Sequence, residues 1–266
     1  MIQKPFAPEY EREGKYIKFP RDIELRKANF IPEAMQHPAK ANLYLIEELV
    51  KWCSEPGQRV MDITAGTGSI LLACKMGRKV TMIELNQFYA EQIKQSGTKM
   101  GLAEGKDYTM LVGDCQSFLP LQADAIIFSP PYSTTMSSTG GIMRKESKII
   151  EQYDHYQGRS EGHKDPRNLG NVKAFMFNQI MNGIYKKCWD SLPSGGKLAL
   201  IIKDFINSKS EVEPLGWRHV QMLGKAGWKQ VLWEEWDAPG TQFKALHRAK
   251  GSHVTEGEHI IIAAKP

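Results

Sequence analysis

Residues 59–68 read RVMDITAGTG, and this stretch decides the fold. The run from Arg59 to Ile63 is typical of a strand, and Gly66 and Gly68 lead from it into a helix. The N-terminus of that helix favours a negatively charged ligand. The G-x-G-x-x-G fingerprint of dinucleotide-binding proteins needs a third glycine where this chain has Leu71, which weakens a nicotinamide interpretation.

Strands and helices alternate on both sides of this stretch. Strand patterns cover residues 79–83, 108–112, 123–128, 197–202, 228–236 and 259–264. Helical patterns cover residues 43–52, 70–76, 86–100, 172–191 and 213–226. This alternation predicts βαβ units and therefore an α/β fold, with a parallel sheet covered by helices on both faces.

Acidic residues close three successive strands of the predicted sheet, at Asp62, Glu84 and Asp114. Open α/β sheets bind ligands at the carboxyl ends of their strands. An acid at the position of Glu84 can bind both hydroxyls of a ribose, and Asp114 can meet an adenine edge or an amino group. Any one of these acids alone would be explained as a solvated strand end, but together they predict a ligand site.

The fourth strand leads into Ser129-Pro130-Pro131-Tyr132. The two prolines remove backbone N–H donors and stiffen the chain, so carbonyl acceptors are held in fixed positions. With a hydroxyl before them and an aromatic ring after them, this turn can bind an –NH2 group and stack the attached flat ring on Tyr132. The alternative is a plain proline-stiffened end of a strand.

With these motifs, the chain resembles the amino-group DNA methyltransferases. These enzymes use S-adenosylmethionine (AdoMet) to form N4-methylcytosine or N6-methyladenine. The resemblance covers residues 30–132 and, more loosely, 168–264. Its motifs here are His37-Pro38-Ala39-Lys40, the stretch Asp62 to Gly68, Glu84, Asp114 and Ser129-Pro130-Pro131-Tyr132. It implies the class I methyltransferase fold, a Rossmann-like sheet that is mostly parallel with an antiparallel last strand.

The resemblance also implies a role for each matched residue. AdoMet would be the cofactor, and no metal is implied. The residues implied to surround the methionine part of AdoMet are Asp62, Thr64, Ala65, Gly66, Thr67 and Gly68, bordered by Pro38 and Lys40. Glu84 would bind the ribose, and Asp114 with Cys115 the adenine. The catalytic residues would be Ser129, Pro130, Pro131 and Tyr132.

The implied substrate is a base flipped out of double-stranded DNA, because the amino group lies on the pairing edge. Serine at the first position of the tetrapeptide favours cytosine N4, with adenine N6 as the alternative. An RNA methyltransferase acting on an amino group such as guanine N2 is a second interpretation. A non-catalytic AdoMet-binding or nucleic-acid-binding subunit is a third.

The predicted organisation is an N-terminal arm, residues 1–36, followed by one methyltransferase domain, residues 37–266. The polar insertions 133–171 and 237–255 are the candidate DNA-contacting loops, with basic residues there and near Lys244–Lys250. No large recognition domain is visible, so the way in which a target sequence is chosen stays open. The family also suggests a restriction endonuclease as a partner, and the oligomeric state is unknown.

Composition adds a few limits. The net charge of +5 suits an anionic partner without requiring one. The four cysteines are widely spaced, which favours reduced thiols over a zinc site or disulfides. Because the sequence has no signal-peptide pattern and no long apolar span, we expect a soluble, cytoplasmic protein.

Overall fold

The computed structural model describes residues 5–37, 40–131, 165–206, 211–238 and 257–266, without the side chains of residues 205 and 206. Several predicted features therefore lie outside the described residues. These are Pro38, Tyr132, most of the insertion 133–171, most of the insertion 237–255, and the basic residues near Lys244–Lys250.

The described elements alternate as the sequence predicts. The strands are β1 (Arg12–Glu13), β2 (Tyr16–Ile17), β3 (Arg59–Asp62), β4 (Lys79–Glu84), β5 (Tyr108–Val112), β6 (Ala125–Phe128), β7 (Lys197–Ile202), β8 (Phe205–Ile206), β9 (Val212–Glu213), β10 (Lys229–Trp236) and β11 (Glu258–Ala264). The α-helices are α1 (Ile23–Asn29), α2 (Leu43–Cys53), α3 (Leu72–Lys75), α4 (Gln87–Lys99), α5 (Cys115–Phe118), α6 (Ala174–Ser191) and α7 (Leu215–Lys225). Single 3-10 turns occupy Glu33–Gln36, Ser69–Leu71 and Leu169–Asn171.

One sheet organises the molecule, with the strand order β1-β2-β10-β11-β7-β6-β3-β4-β5. Strands β3 to β7 pair with one another in parallel. Strand β11 is antiparallel to both β7 and β10. The prediction of a mostly parallel sheet with an antiparallel last strand is confirmed. The order reverses at β3 and β6, and open α/β sheets bind ligands beside such a switch point.

Alternate residues of the strands pack on opposite faces of the sheet. On one face, Ala125 and Ile127 of β6 join a core that includes α2, α4 and the N-terminal segment. On the other face, Ile126 and Phe128 pack with α6 and α7. We call the first surface the arm face. Because side chains alternate, Ser129, which follows Phe128, belongs to the arm face.

The N-terminal segment is more regular than the irregular arm that the sequence predicts. Strands β1 and β2 form a hairpin, and β2 pairs in parallel with β10, extending the sheet. Ile17 and Phe30 are buried in the core of the arm face. Each strand of the hairpin has two residues, which is too short for hydrophobic periodicity to reveal.

Among the described helices, none combines the length and the apolar character that crossing a bilayer requires. Within the same described ranges, no cluster of His, Cys, Asp or Glu side chains is arranged to hold a metal ion.

Candidate active site

A cleft of about 740 Å³ opens at the carboxyl ends of β3, β4, β5, β6 and β7. It brings together most of the residues that the sequence singles out. The predicted residues that line it are Lys40, Asp62, Thr64, Ala65, Gly66, Thr67, Glu84, Asp114, Cys115, Ser129, Pro130 and Pro131. Gly68 does not line the cleft; with φ of 78° it turns the chain into the 3-10 turn Ser69–Leu71.

The Glu84 carboxyl organises the glycine loop. Its Oε2 accepts a hydrogen bond from the Gly66 N–H at 2.7 Å, and its Oε1 accepts one from the Asn86 N–H at 2.9 Å. A carboxylate has about four acceptor positions, so these two hydrogen bonds leave acceptor capacity for a ligand. Glu84 therefore fixes the loop and keeps the capacity to bind a ribose.

Asp62 is a second buried acid in the cleft. Its Oδ1 accepts a hydrogen bond from the Thr64 N–H at 3.0 Å. Burial, with the neighbouring Glu84 carboxyl, raises the pKa of Asp62 to about 7. Burial likewise raises the pKa of Glu84 to about 7. Two carboxyls that are both desolvated in one cleft suit a ligand that carries positive charge.

Asp114 and Cys115 lie where β5 leads into α5. Asp114 caps this helix, its Oδ1 accepting the Gln116 N–H at 2.9 Å. Burial raises the pKa of the Cys115 thiol to about 12, so the thiol stays neutral. Cys115 is therefore a wall of the cleft and not a nucleophile, because the reactive form of cysteine is the thiolate.

Lys40 borders the cleft from the other side and donates a hydrogen bond to the His37 carbonyl. Although its side chain is accessible from the cleft, the ammonium is largely desolvated. Desolvation and the nearby Arg26 guanidinium lower the pKa of Lys40 to about 8. His37 is buried, and its ring packs against Tyr89 with the centroids 4.5 Å apart.

Two residues of the arm, Asp22 and Arg26, complete this border, and no sequence motif marks them. Arg26 is buried, forms an ion pair with Asp22 at 2.8 Å, and donates to the Ser69 hydroxyl at 3.3 Å. The arm is thereby connected to the turn behind the glycine loop. The spacing of four residues between Asp22 and Arg26 is the one signal that could have indicated the pair.

The turn after β6 forms the opposite wall. Ser129 Oγ donates a hydrogen bond to the Ile201 carbonyl at 2.9 Å. Thr64 Oγ1 donates to the Ser129 carbonyl at 3.0 Å, which joins this turn to the glycine loop. Because the Ser129 proton is directed at Ile201, the hydroxyl oxygen keeps its lone pairs for another donor. Pro130 is buried and Pro131 is partly buried.

Residues that precede α6 and follow β7 also contribute to the cleft. Asn168, Leu169 and Lys203 line it. Asn171 ends the 3-10 turn, and Lys173 is the N-cap of α6. Asp204 accepts a hydrogen bond from the Gly216 N–H at 3.0 Å at the start of α7.

Three tryptophans near the end of the chain lie in different environments. Trp228 is buried and Trp233 is 37% exposed. Trp236 is buried but also lines the cleft, as does Glu258, which no sequence motif marks.

The sheet order and the cleft define the class I fold of AdoMet-dependent methyltransferases. Within that class, residues 8–95 match the family described as DNA methylase (N6_N4_Mtase), which confirms the predicted family resemblance over that part of the chain. The family match and the fold together support an AdoMet-dependent methyltransferase. No curated protein sequence matches this chain.

Solved structures share the fold at low sequence identity. A methyltransferase from Pyrococcus furiosus superposes with a TM-score of 0.53 at 14% identity, over 92% of this chain and 94% of its own. TrmN from Thermus thermophilus gives a TM-score of 0.51 at 15% identity, over 88% of this chain. The alignment spans only 52% of TrmN. At these identities the similarity concerns the fold alone.

The two buried acids predict a pH dependence of AdoMet binding. In the free protein, both carboxyls hold protons below their pKa of about 7. Only the ionised forms can attract the positively charged methionine part of AdoMet, at Asp62, and accept hydrogen bonds from both ribose hydroxyls, at Glu84. Raising the pH from about 6 to about 7.5 should therefore lower the Kd for AdoMet several-fold. Isothermal titration calorimetry measures this change, and Asp62→Asn should reduce it. A Kd that rises over this interval would contradict the assignment.

Gly68 predicts a stability difference between two glycine substitutions. A Cβ at Gly68 would lie 3.0 Å from Ile93 Cγ1, on a residue with φ of 78°. Gly68→Ala should lower the free energy of unfolding by about 2 kcal/mol. In Gly183→Ala, within α6, the new Cβ meets no atom within 4 Å, and the change should raise stability by about 0.5–1 kcal/mol. Urea denaturation compares the two, and equal shifts would contradict the strain argument.

Proposed function

We propose that this protein is a DNA methyltransferase that transfers the methyl group of AdoMet to an exocyclic amino group, with cytosine N4 as the first candidate. The observation that carries the proposal is the hydrogen bonding of Ser129. Its proton is used by the Ile201 carbonyl and its own carbonyl is held by Thr64, so an acceptor oxygen is fixed in the same cleft as the glycine loop. The match of residues 8–95 to a DNA methylase family supports DNA as the substrate.

The chemical difficulty lies in the amino group of the base. When bound, AdoMet supplies a methyl group that is already electrophilic, because it is attached to a sulfonium. The lone pair of the amino nitrogen, by contrast, is delocalised into the ring. Ser129 Oγ and the Pro130 carbonyl accept its two N–H hydrogens, which draws the nitrogen toward tetrahedral geometry and aims its lone pair at the methyl group. Positioning and fixed dipoles then supply most of the rate.

No strong general base is required in this scheme. The nitrogen becomes cationic as its bond to the methyl carbon forms and the carbon–sulfur bond of the donor breaks, leaving a neutral thioether. The nitrogen then releases one of its two protons to solvent. The hydrogen-bonding oxygens of Ser129 and Pro130 stabilise the positive charge while it develops. The buried Cys115 thiol takes no part, because burial keeps it neutral.

Duplex DNA requires that the base be flipped out, which costs on the order of a few kcal/mol. Stacking on an aromatic ring returns ~1–3 kcal/mol. Tyr132, the ring proposed for this role, lies outside the described residues, as do the basic residues near Lys244–Lys250. The proposal assigns the remaining affinity to phosphate contacts from the insertions that contain these residues.

The alternatives are adenine N6 and an RNA amino group such as guanine N2. A first test separates DNA from RNA as the substrate. The protein is incubated with methyl-labelled AdoMet and either unmethylated duplex DNA or RNA, and the label in each polymer is counted. We expect label in DNA, and we expect Ser129→Ala to remove it. Label in RNA alone would overturn the DNA assignment. A restriction endonuclease partner and a cytoplasmic location stay predictions.

A further inference from the structure

Glu258 brings a second functional group into the cleft, opposite the Ser129 turn. It is the first residue of β11 and lines the cleft together with Trp236. Its Oε2 accepts a hydrogen bond from the Trp236 indole N–H at 3.2 Å, which fixes the carboxyl on the adjacent strand β10. Glu258 is not among the predicted cofactor-binding or catalytic residues.

The strand register relates Glu258 to Ser129. Phe128 pairs with Leu200, and Ile201 pairs with Ile260, so Ser129, Ile201 and Ile260 lie side by side on β6, β7 and β11. Strands β6 and β11 are two neighbours apart, a separation of about 10 Å. Glu258 lies two residues closer to the open edge of the sheet than Ile260, a rise of about 7 Å.

Glu258 also belongs to the same face of the sheet as Ser129. Ile127, Ile201 and Ile260 are all part of the core of the arm face. Because side chains alternate along a strand, residues two positions further along share that face, which includes both Ser129 and Glu258. The hydroxyl and the carboxyl therefore border the same part of the cleft from two sides. The gap between them suits a flat ring.

We propose that Glu258 is a specificity-determining residue that donates a hydrogen bond to the ring nitrogen beside the reactive amino group. This inference rests on the proposed function. In cytosine the neighbour of the amino group is N3 and in adenine it is N1, and both are acceptors. In guanine the amino group lies between N1, which carries a hydrogen and donates, and N3, which accepts but lies on the side of the sugar. A donating carboxylic acid at this place therefore favours cytosine and adenine, and accepts guanine only in an orientation that turns its sugar toward Glu258.

Burial shifts Glu258 toward the acid form that this role needs. It raises the pKa of Glu258, whereas Lys203, the Trp236 N–H and His259 favour the ionised form. The other charged side chains that line the cleft are Asp22, Arg26, Lys40, Asp62, Glu84, Asp114, Asp165, Arg167 and Lys203. In other proteins, burial can keep a carboxylic acid protonated so that it donates a hydrogen bond.

The test compares Glu258→Ala and Glu258→Gln in kcat/KM for DNA, with AdoMet affinity as the control for folding. Glu258→Ala should lower kcat/KM roughly 10- to 100-fold, the usual cost of one lost contact to a base edge. Glu258→Gln carries an amide N–H that donates without titrating, so it should retain most of the activity. AdoMet affinity should be unchanged in both variants.

The pH profile separates this role from a merely structural one. Because the acid form is the donor, wild-type kcat/KM should fall as the pH rises through the pKa of Glu258, and Glu258→Gln should lose that fall. Glu234→Gln is the matched control, since Glu234 lies on β10 in an ion pair with Arg12 and does not line the cleft. It should behave as the wild type.

Three results would overturn the proposal. The first is a Glu258→Ala variant with unchanged kcat/KM, and the second is a Glu258→Gln variant as defective as Glu258→Ala. The third is loss of AdoMet binding in either variant, which would assign Glu258 to the cofactor. Each of these results concerns Glu258 alone, because it requires a wild-type protein that methylates DNA. If the wild-type protein methylates no base, the proposed function itself fails.

Discussion

Ser129→Ala is expected to lower kcat by about 100-fold, the usual cost of removing one fixed group that stabilises a transition state. The Kd for AdoMet should change by less than about twofold, because interactions made only in the transition state do not contribute to ground-state binding. The Ser129 hydroxyl donates to the Ile201 carbonyl. In the proposed mechanism it also accepts a hydrogen of the amino group, and alanine can do neither. Steady-state kinetics give kcat, and calorimetry gives the Kd.

The matched control for this substitution is Ser117→Ala. Ser117 is exposed in α5 and does not line the cleft, so the same chemical change should leave kcat and Kd unaltered. If Ser129→Ala weakens AdoMet binding as much as it lowers kcat, Ser129 serves the cofactor and our role for it is wrong.

The second large effect is expected at Glu84. Both of its carboxyl oxygens accept backbone N–H groups, from Gly66 and Asn86. In Glu84→Gln, the amide –NH2 must face one of these donors, which leaves an N–H unpaired and disturbs the glycine loop. Hydrogen bonds to charged groups contribute about 1.5–3 kcal/mol, so the Kd for AdoMet should rise roughly 100-fold.

Calorimetry at a pH above 7 measures this effect while Glu84 is ionised in the wild type. Glu91→Gln is the matched control, because Glu91 is exposed on α4 and outside the cleft. A thermal unfolding curve shows whether Glu84→Gln is folded. A folded variant with wild-type AdoMet affinity and a lowered kcat would mean that Glu84 acts on the acceptor and not on the ribose.

Much of the sheet could be predicted from the sequence, for a physical reason. Central parallel strands are buried on both faces and read as short apolar runs, such as 125–128 and 197–202. Their carboxyl ends meet at one edge, so Asp62, Glu84 and Asp114 could be assigned to one site before their distances were known. The structure brings all three to the same cleft.

What could not be predicted depends on contacts between segments far apart in the sequence. The ion pair of Asp22 with Arg26 reaches the cleft through the packing of α1 beside the glycine loop. In the sequence, Glu258 is an ordinary polar residue at the start of a strand. The pairing of β11 between β7 and β10 brings it into the cleft that Ser129 also lines. The glycine motif predicts Gly68 as a cofactor residue, but Gly68 does not line the cleft. Its backbone forms the turn, and a side chain at this position would meet Ile93.

The central claim is methyl transfer to an exocyclic amino nitrogen, and identification of the product nucleoside tests it most directly. Unmethylated DNA is treated with the protein and deuterated-methyl AdoMet, digested to nucleosides and analysed by mass spectrometry against standards. We predict the label in N4-methyl-2′-deoxycytidine. Label in N6-methyl-2′-deoxyadenosine would correct the base and retain the amino-group chemistry, whereas label on a ring carbon, such as C5 of cytosine, would contradict the account.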